Sequence, residues 1–295
     1  MTQVNKQKQI KIISNYALQS LLFEAALYPK PGLVDPISNG AHTDMDYLTF
    51  LDSSQALAPY FYDYLQLGLA HEGSPVELFQ KVRLLGQQAE RAMLEKTNGI
   101  NTHKGANFSF ALILASIGKL LQNKQLYLPF SEADTHAVFD YTKRMTVSLL
   151  EQDFSDLANK SMLTNGEKLY LDHGFTGIRG EAAAGYPALQ LTALPFLRQR
   201  HSSNDKKNFL LLLLSLMATV EDSNLINRGG LDAWKQVKKL AAQQLATLSD
   251  EVTIYELEES LAVFDQVLIQ KNLSPGGSAD LLALSYFFGQ LEGLI

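Results

Sequence analysis

The chain contains no cysteine. Disulfides, zinc–thiolate sites, iron–sulfur clusters and a cysteine nucleophile are thereby excluded. It has no excess of positive charge: 25 Lys and Arg stand against 31 Asp and Glu, a net charge of -6. A dedicated nucleic-acid binder would carry a basic face, so that class is disfavoured, although a local pocket for one small anion remains compatible. It has no long apolar run. The longest, Phe209–Val220, is too short to cross a bilayer and belongs in a core. Lys6, Lys8 and Lys11 precede the first acidic residue, Glu24, which is the charge pattern of a targeting segment. Yet Ile10, Ile13, Ala17, Leu21 and Ala25 recur at helical spacing, and no cleavage site follows, so a plain amphipathic helix is expected instead. The sequence also lacks a fixed-period repeat, a low-complexity linker, a Walker loop and a kinase glycine loop.

What is present is helical. The chain has 295 residues, 46% of them hydrophobic, enough for a sizeable core. Helical patterns run over residues 8–28, 43–70, 108–121, 131–152, 180–198, 205–220, 230–248, 252–271 and 278–291. A further helix starts at Ser74, where Pro75 and Glu77 complete a capping box, and runs to Lys96. Leu169–Phe175 reads as a short strand, with no strand-helix-strand rhythm around it. The expectation is an all-α fold, a single domain over residues 1–295 with about ten helices.

Five polar, glycine-punctuated stretches interrupt these helices: Pro29–Asp35 with Glu24 before it, Thr97–Asn107, His173–Pro187, Glu221–Gly230 and Ser274–Ala283. A turn needs only a polar residue and a turn former; these stretches hold far more. They suggest one pocket lined by helix termini. Lys30, Lys104, Arg179 and Arg228 are cations near glycines, suited to a polyphosphate. Asp35, Asp44, Asp46, Glu181, Asp222 and Asp280 are carboxylates suited to magnesium or to general-base work. Lys104 and Gly105 sit at the amino end of an apolar helix, and Gly276 and Gly277 precede another; free N–H groups there favour a phosphate. Taken singly, each residue also has an ordinary reading. A lone Lys or Arg reads as a surface ion-pair partner, His103 and His173 as loop histidines, Glu24 as a solvated face residue, and Asp280 as a first-turn acid suited to the helix dipole. Trp234 and the cluster Tyr60–Tyr64 read as core.

Together, PKPGLVD, TNGINTHKGANF, RGEAAAGYP, DSNLINRGG and SPGGSADLLA resemble, in order, the motifs of the triphosphoribosyl-dephospho-CoA synthase family. The resemblance spans roughly Glu24 to Leu284; Ser223 stands where a threonine is expected, which keeps the hydroxyl. It implies an all-α transferase that takes ATP and 3′-dephospho-CoA, releases adenine, and forms 2′-(5″-triphosphoribosyl)-3′-dephospho-CoA. That product is the precursor of the citrate lyase acyl-carrier prosthetic group; a related branch serves malonate decarboxylase. A separate transferase would then attach the precursor to the carrier protein. The implied attack is at ribose C1, through an oxocarbenium-like centre, with a single inversion from β to α.

On residue type and motif position, Lys30, His103, Lys104, Arg179 and Arg228 would bind phosphates, helped by the backbone at Gly105, Gly276 and Gly277. Asp35, Glu181 and Asp222 would hold Mg2+. The catalytic candidates are Asp35, Glu24, His103 and Glu181, with the choice of base open. A cytoplasmic location is expected, with no nucleic-acid or membrane partner; a homo-oligomer stays open. Two other classes remain open at this point: a magnesium-dependent N-glycosidase or ADP-ribosyl hydrolase, and a non-catalytic helical nucleotide-binding protein.

Overall fold

The computed structural model describes residues 3–123, 126–155, 157–200, 205–248 and 251–295. Thirteen α-helices occur among the described residues, and no strand. They are α1 (Gln3–Ala26), α2 (Tyr47–Ala70), α3 (Pro75–Lys96), α4 (Lys104–Asn123), α5 (Glu132–Met145), α6 (Leu149–Phe154), α7 (Asn165–His173), α8 (Gly177–Ala184), α9 (Leu194–Gln199), α10 (Asp205–Thr219), α11 (Ser223–Thr247), α12 (Ile254–Gln270) and α13 (Gly276–Glu292).

The starts are set by local chemistry. Capping boxes open α2 at Asp46, α3 at Ser74, α5 at Ser131, α7 at Thr164 and α12 at Thr253. In each, the cap side chain accepts from the third helical N–H, and that residue's side chain answers the cap's own N–H. The fold is all-α, as expected, but the long helices are more divided than the pattern suggested. The expected 131–152 helix breaks into α5 and α6. The 180–198 segment breaks at Gly185, which takes φ 83° and ends α8; a π-helical turn at Leu189–Ala193 then leads into α9. The expected strand at Leu169–Phe175 is instead the end of α7. The Thr164–Glu167 capping box starts a helix that runs to His173, where Gly174 ends it.

Helix α4 is the hub. It is the one helix among the described residues long and apolar enough to cross a membrane, yet most of it is buried inside the protein. It packs against α1, α2, α3, α5, α8 and α13. Its side chains therefore belong to a core that runs from Ile10 of α1 to Leu291 of α13. The α2–α4 crossing is closest. A Cβ on Gly68 would lie 2.0 Å from the carbonyl oxygen of Ala115, and one on Gly118 would lie 2.1 Å from that of Leu65.

That geometry gives a stability test. Gly118→Ala gains about 1 kcal/mol of helix propensity. It also forces a methyl group into backbone, and such overpacking costs about 1–3 kcal/mol or more. The clash is with a carbonyl rather than a flexible side chain, so the net effect should be destabilising. Thermal unfolding should show a lowered midpoint; an unchanged or raised midpoint would mean that α2 and α4 are not held this close.

Candidate active site

Five helix amino ends, those of α4, α7, α8, α11 and α13, face one cavity of about 670 Å³. All five polar stretches contribute to its wall, including Glu24, His103, Lys104, Gly105, Arg179, Glu181, Arg228, Gly276, Gly277 and Asp280. Helix ends gather here because their boundaries differ from the sequence pattern. Helix α4 begins at Lys104 rather than Phe108, and α11 begins at Ser223, capped by Asp222, rather than at Gly230. Gly230, at φ 77°, instead kinks α11 from within.

Four expected ligands are not among the wall residues; one of them, Asp46, caps α2, its Oδ1 accepting from Thr49 N–H at 2.9 Å. Asp35 is buried and organises its own loop: Oδ1 accepts from the N–H groups of Ile37 and Ser38, both at 2.9 Å, and Oδ2 from that of Lys30 at 3.2 Å. Lys30 is also buried, with Nζ 2.5 Å from Glu24 Oε1. Its charge is spent on that carboxylate rather than presented to a phosphate. Asp222 joins two helices. Oδ1 accepts from Asn224 and Leu225 at the start of α11, and Oδ2 accepts from the N–H and Oγ–H of Ser278 in α13, at 2.8 and 3.0 Å. Burial pushes its carboxyl above the usual aspartate range, and the Ser278 bonds oppose the shift. His173, at the end of α7, is exposed and outside the wall.

The amino end of α4 already faces an anion. A Cβ on Gly105 would lie 2.1 Å from Asp280 Oδ2, so glycine is needed for the carboxylate to approach. Burial, then the charges of Glu24 and Asp222, hold the Asp280 carboxyl well above its ordinary range. Gly105 is therefore a seat for Asp280, in place of the phosphate expected from the sequence. Also in the wall, Glu181 Oε2 accepts from Ala188 N–H at 3.1 Å; burial and neighbouring Glu221 raise its carboxyl, against that bond.

The rim holds the cations. Arg179 Nε meets Asp153 at 2.6 Å, and Lys104 Nζ meets Glu90 at 2.5 Å. Arg228 bonds to Ala41 O at 2.7 Å and to His42 Nδ1 at 3.1 Å. His42 Nε2 is 3.0 Å from Ser274 Oγ, so this guanidinium ties three stretches together.

His103 is not a cation. Burial, with Lys30 nearby, pushes its imidazole down to about 3. Thr102 Oγ1 donates to Ser53 Oγ at 2.6 Å, and Ser53 Oγ is 2.7 Å from His103 Nδ1. With Thr102 donating, the serine proton is left for Nδ1, which puts the ring hydrogen on Nε2. That nitrogen is buried and has no hydrogen-bond partner among the described residues. His103 thus offers a neutral donor where a phosphate-binding cation was expected. Ser53 and Thr102 were missed from sequence because nothing marks an ordinary serine on α2. The start of α7, Thr164–Gly166, is also in the wall and was not expected from the sequence, although its Thr-x-x-Glu signal was available.

The family model described as "ATP:dephospho-CoA triphosphoribosyl transferase" (CitG) matches residues 10–295. The chain belongs to that family. A relative from Streptococcus equi subsp. equi is 48% identical over 286 residues, covering 95% of this chain and 96% of that protein. One from Streptococcus mutans serotype c is 44% identical, covering 98% and 99%. Both are named as 2-(5″-triphosphoribosyl)-3′-dephosphocoenzyme-A synthases. The hydrolase and non-catalytic readings find no support among these relatives.

The His103 geometry has a pH consequence. The folded-state pKa is depressed from an unfolded value near 6.5. Its contribution to stability is therefore full above about pH 6.5 and falls away as pH drops towards about 3. His103→Gln should flatten this part of the profile. Unfolding midpoints of the native and variant proteins at neutral and mildly acidic pH are the check; parallel losses in both would show that His103 is not the buried neutral group described.

Proposed function

We propose that the protein transfers the triphosphoribosyl group of ATP to the 2′ hydroxyl of 3′-dephospho-CoA, with release of adenine. The observation that carries this is the convergence of all five motif stretches, with their cations and carboxylates, on one cavity. The chain's membership of the transferase family gives the reaction its name.

The residues divide the work as follows. Arg179, Arg228 and Lys104 stand at the rim, where charge-assisted bonds would fix the triphosphate and hold C1 in place. Asp280 is the base of choice. It faces the cavity, and its raised proton affinity makes it a stronger base than an ordinary aspartate. The proton lost from the hydroxyl is matched by the one adenine gains at N9. His103 Nε2–H would donate to a substrate oxygen or nitrogen, without itself ionising. Glu24 stays with Lys30, which makes it an electrostatic partner of Asp280 and a poorer base.

No cluster of three Asp, Glu or His side chains suited to a metal occurs among the described residues. Magnesium does not need one, since it is commonly held by one or two carboxylates together with substrate phosphates. Glu181 and Glu221 fit that role: both line the cavity, and the charge of Glu221 adds to burial in raising the Glu181 carboxyl. Bound there, the ion would neutralise part of the triphosphate charge. Service to citrate lyase, a separate carrier-protein transferase downstream and a cytoplasmic location belong to the same reading.

Purified protein with magnesium, ATP and 3′-dephospho-CoA should yield adenine and the triphosphoribosyl adduct in equal amounts, by chromatography and mass spectrometry. ADP, or adenine formed equally fast without the acceptor, would overturn the transfer. Asp280→Asn should lower kcat by roughly 10²–10⁴, the usual worth of a positioned base. The acid limb of the native rate profile should lie above the ordinary aspartate range and vanish in the variant. Retention of full activity by Asp280→Asn would move the base elsewhere.

A further inference from the structure

A second hollow of about 220 Å³ opens between α3, α4, α6 and α8. It shares Lys104, Gly105, Ile178 and Arg179 with the main cavity, so the two meet along one wall. Beyond that wall its character changes. Phe79, Val82, Phe108, Leu112 and Leu149 make it largely apolar. Asn107 is a buried amide within it. Its Oδ1 accepts from Tyr64 Oη and its Nδ2 donates to Gly86 O, which leaves one amide hydrogen for a ligand carbonyl. At the shared wall, Arg179 and Arg83 both lean on the single carboxylate of Asp153, at 2.6 Å each. Two guanidinium groups on one carboxylate leave a net positive charge at the mouth.

We propose that this side hollow takes the pantetheine arm of the acceptor substrate. The proposal rests on the transferase reading above. The order of groups along 3′-dephospho-CoA is ribose, diphosphate, then an uncharged arm with two amides and a dimethyl branch. The order along the protein is the main cavity, a cationic wall, then an apolar hollow with an amide in it. Seating the arm in the hollow puts the diphosphate at Arg83, across Asp153 from the Arg179 that meets the triphosphate, and returns the ribose hydroxyl to the main cavity, on the side of Asp280. ATP has no group of the arm's kind. Its triphosphate would not enter apolar walls without losing its solvation.

Gly86 provides the test. It lies on the α3 wall, and an added Cβ meets only Tyr64 Oη, at 3.9 Å. A helix accepts a side chain there, and the side chain projects into space the arm would need. Calorimetric titration of the full chain with 3′-dephospho-CoA, 4′-phosphopantetheine and ATP is the measurement. In Gly86→Leu, the Kd of the two arm-bearing ligands should rise about tenfold or more, while that of ATP stays within about twofold. Gly86→Ala should bind all three as the native protein does. If Gly86→Leu fails to fold, Phe108→Ala serves instead: it removes a wall of the hollow and should weaken the same two ligands. Unchanged binding of 3′-dephospho-CoA, or loss confined to ATP, overturns the assignment. Because the readout is binding, a native protein that binds all ligands and yet releases no adenine would count against the transferase reading alone.

Discussion

Two buried carboxylates hold three helix amino ends together, and the site exists because they do. Asp222 satisfies N–H groups at the starts of both α11 and α13. Asp280, one turn into α13, reaches the start of α4 beside Gly105. Each amino end carries roughly half a positive charge, so their convergence would be repulsive without an anion between them. Burying the anions has its own cost, visible as carboxyls pushed above their usual range. The N–H bonds offset that cost. The consequence for ligand binding is indirect. The starts of α4, α11 and α13, which might have cradled phosphate, are already occupied by protein carboxylates. The net positive charge left for a triphosphate sits at the rim, on Arg179, Arg228 and Lys104.

Much of this was legible in the sequence, and the reasons differ by residue. The capping box at Ser74 could be read directly, because its signal lies within four residues. The core run Phe209–Val220 could be read from its composition. The five stretches could be grouped because each breaks a helix with more chemistry than a turn needs. What could not be read was direction. Lys30 and Arg179 are both cations beside glycine, yet one is buried against Glu24 and the other reaches the rim. Asp35 and Asp222 have the composition of metal ligands, but every oxygen they have is engaged with backbone or Ser278. Residue type gives the chemistry on offer; only packing decides which way it faces. Ser53 shows the converse. Its role depends wholly on lying 2.7 Å from His103, fifty positions away in the chain.

The charges of the cavity are arranged in tasks rather than mixed. Acids lie on its floor, where burial raises their proton affinity, and cations lie at its edge, where each has a weak or shared partner. An ion pair formed across the middle would cancel both functions; the buried pair beside the cavity, Lys30 with Glu24, has its lysine behind the wall. His103 fits the same division. As a cation beside Lys30 it would add repulsion to the floor; as a neutral donor it keeps a directed hydrogen bond and adds no net charge.

This division bears on how transfer can compete with hydrolysis. Water is always available to attack an activated ribose, so specificity must come from binding energy that only the acceptor supplies. A hollow beyond the cationic wall would provide it at a distance from the reacting atoms. With an arm seated there, the acceptor's ribose is held at the floor and water is displaced from it. Without an arm, the floor is left with a carboxylate and a neutral imidazole, and neither is paired with a positioned nucleophile. Discrimination by the remote arm therefore asks nothing of Asp280 itself, which need only accept whichever proton the arm brings into reach.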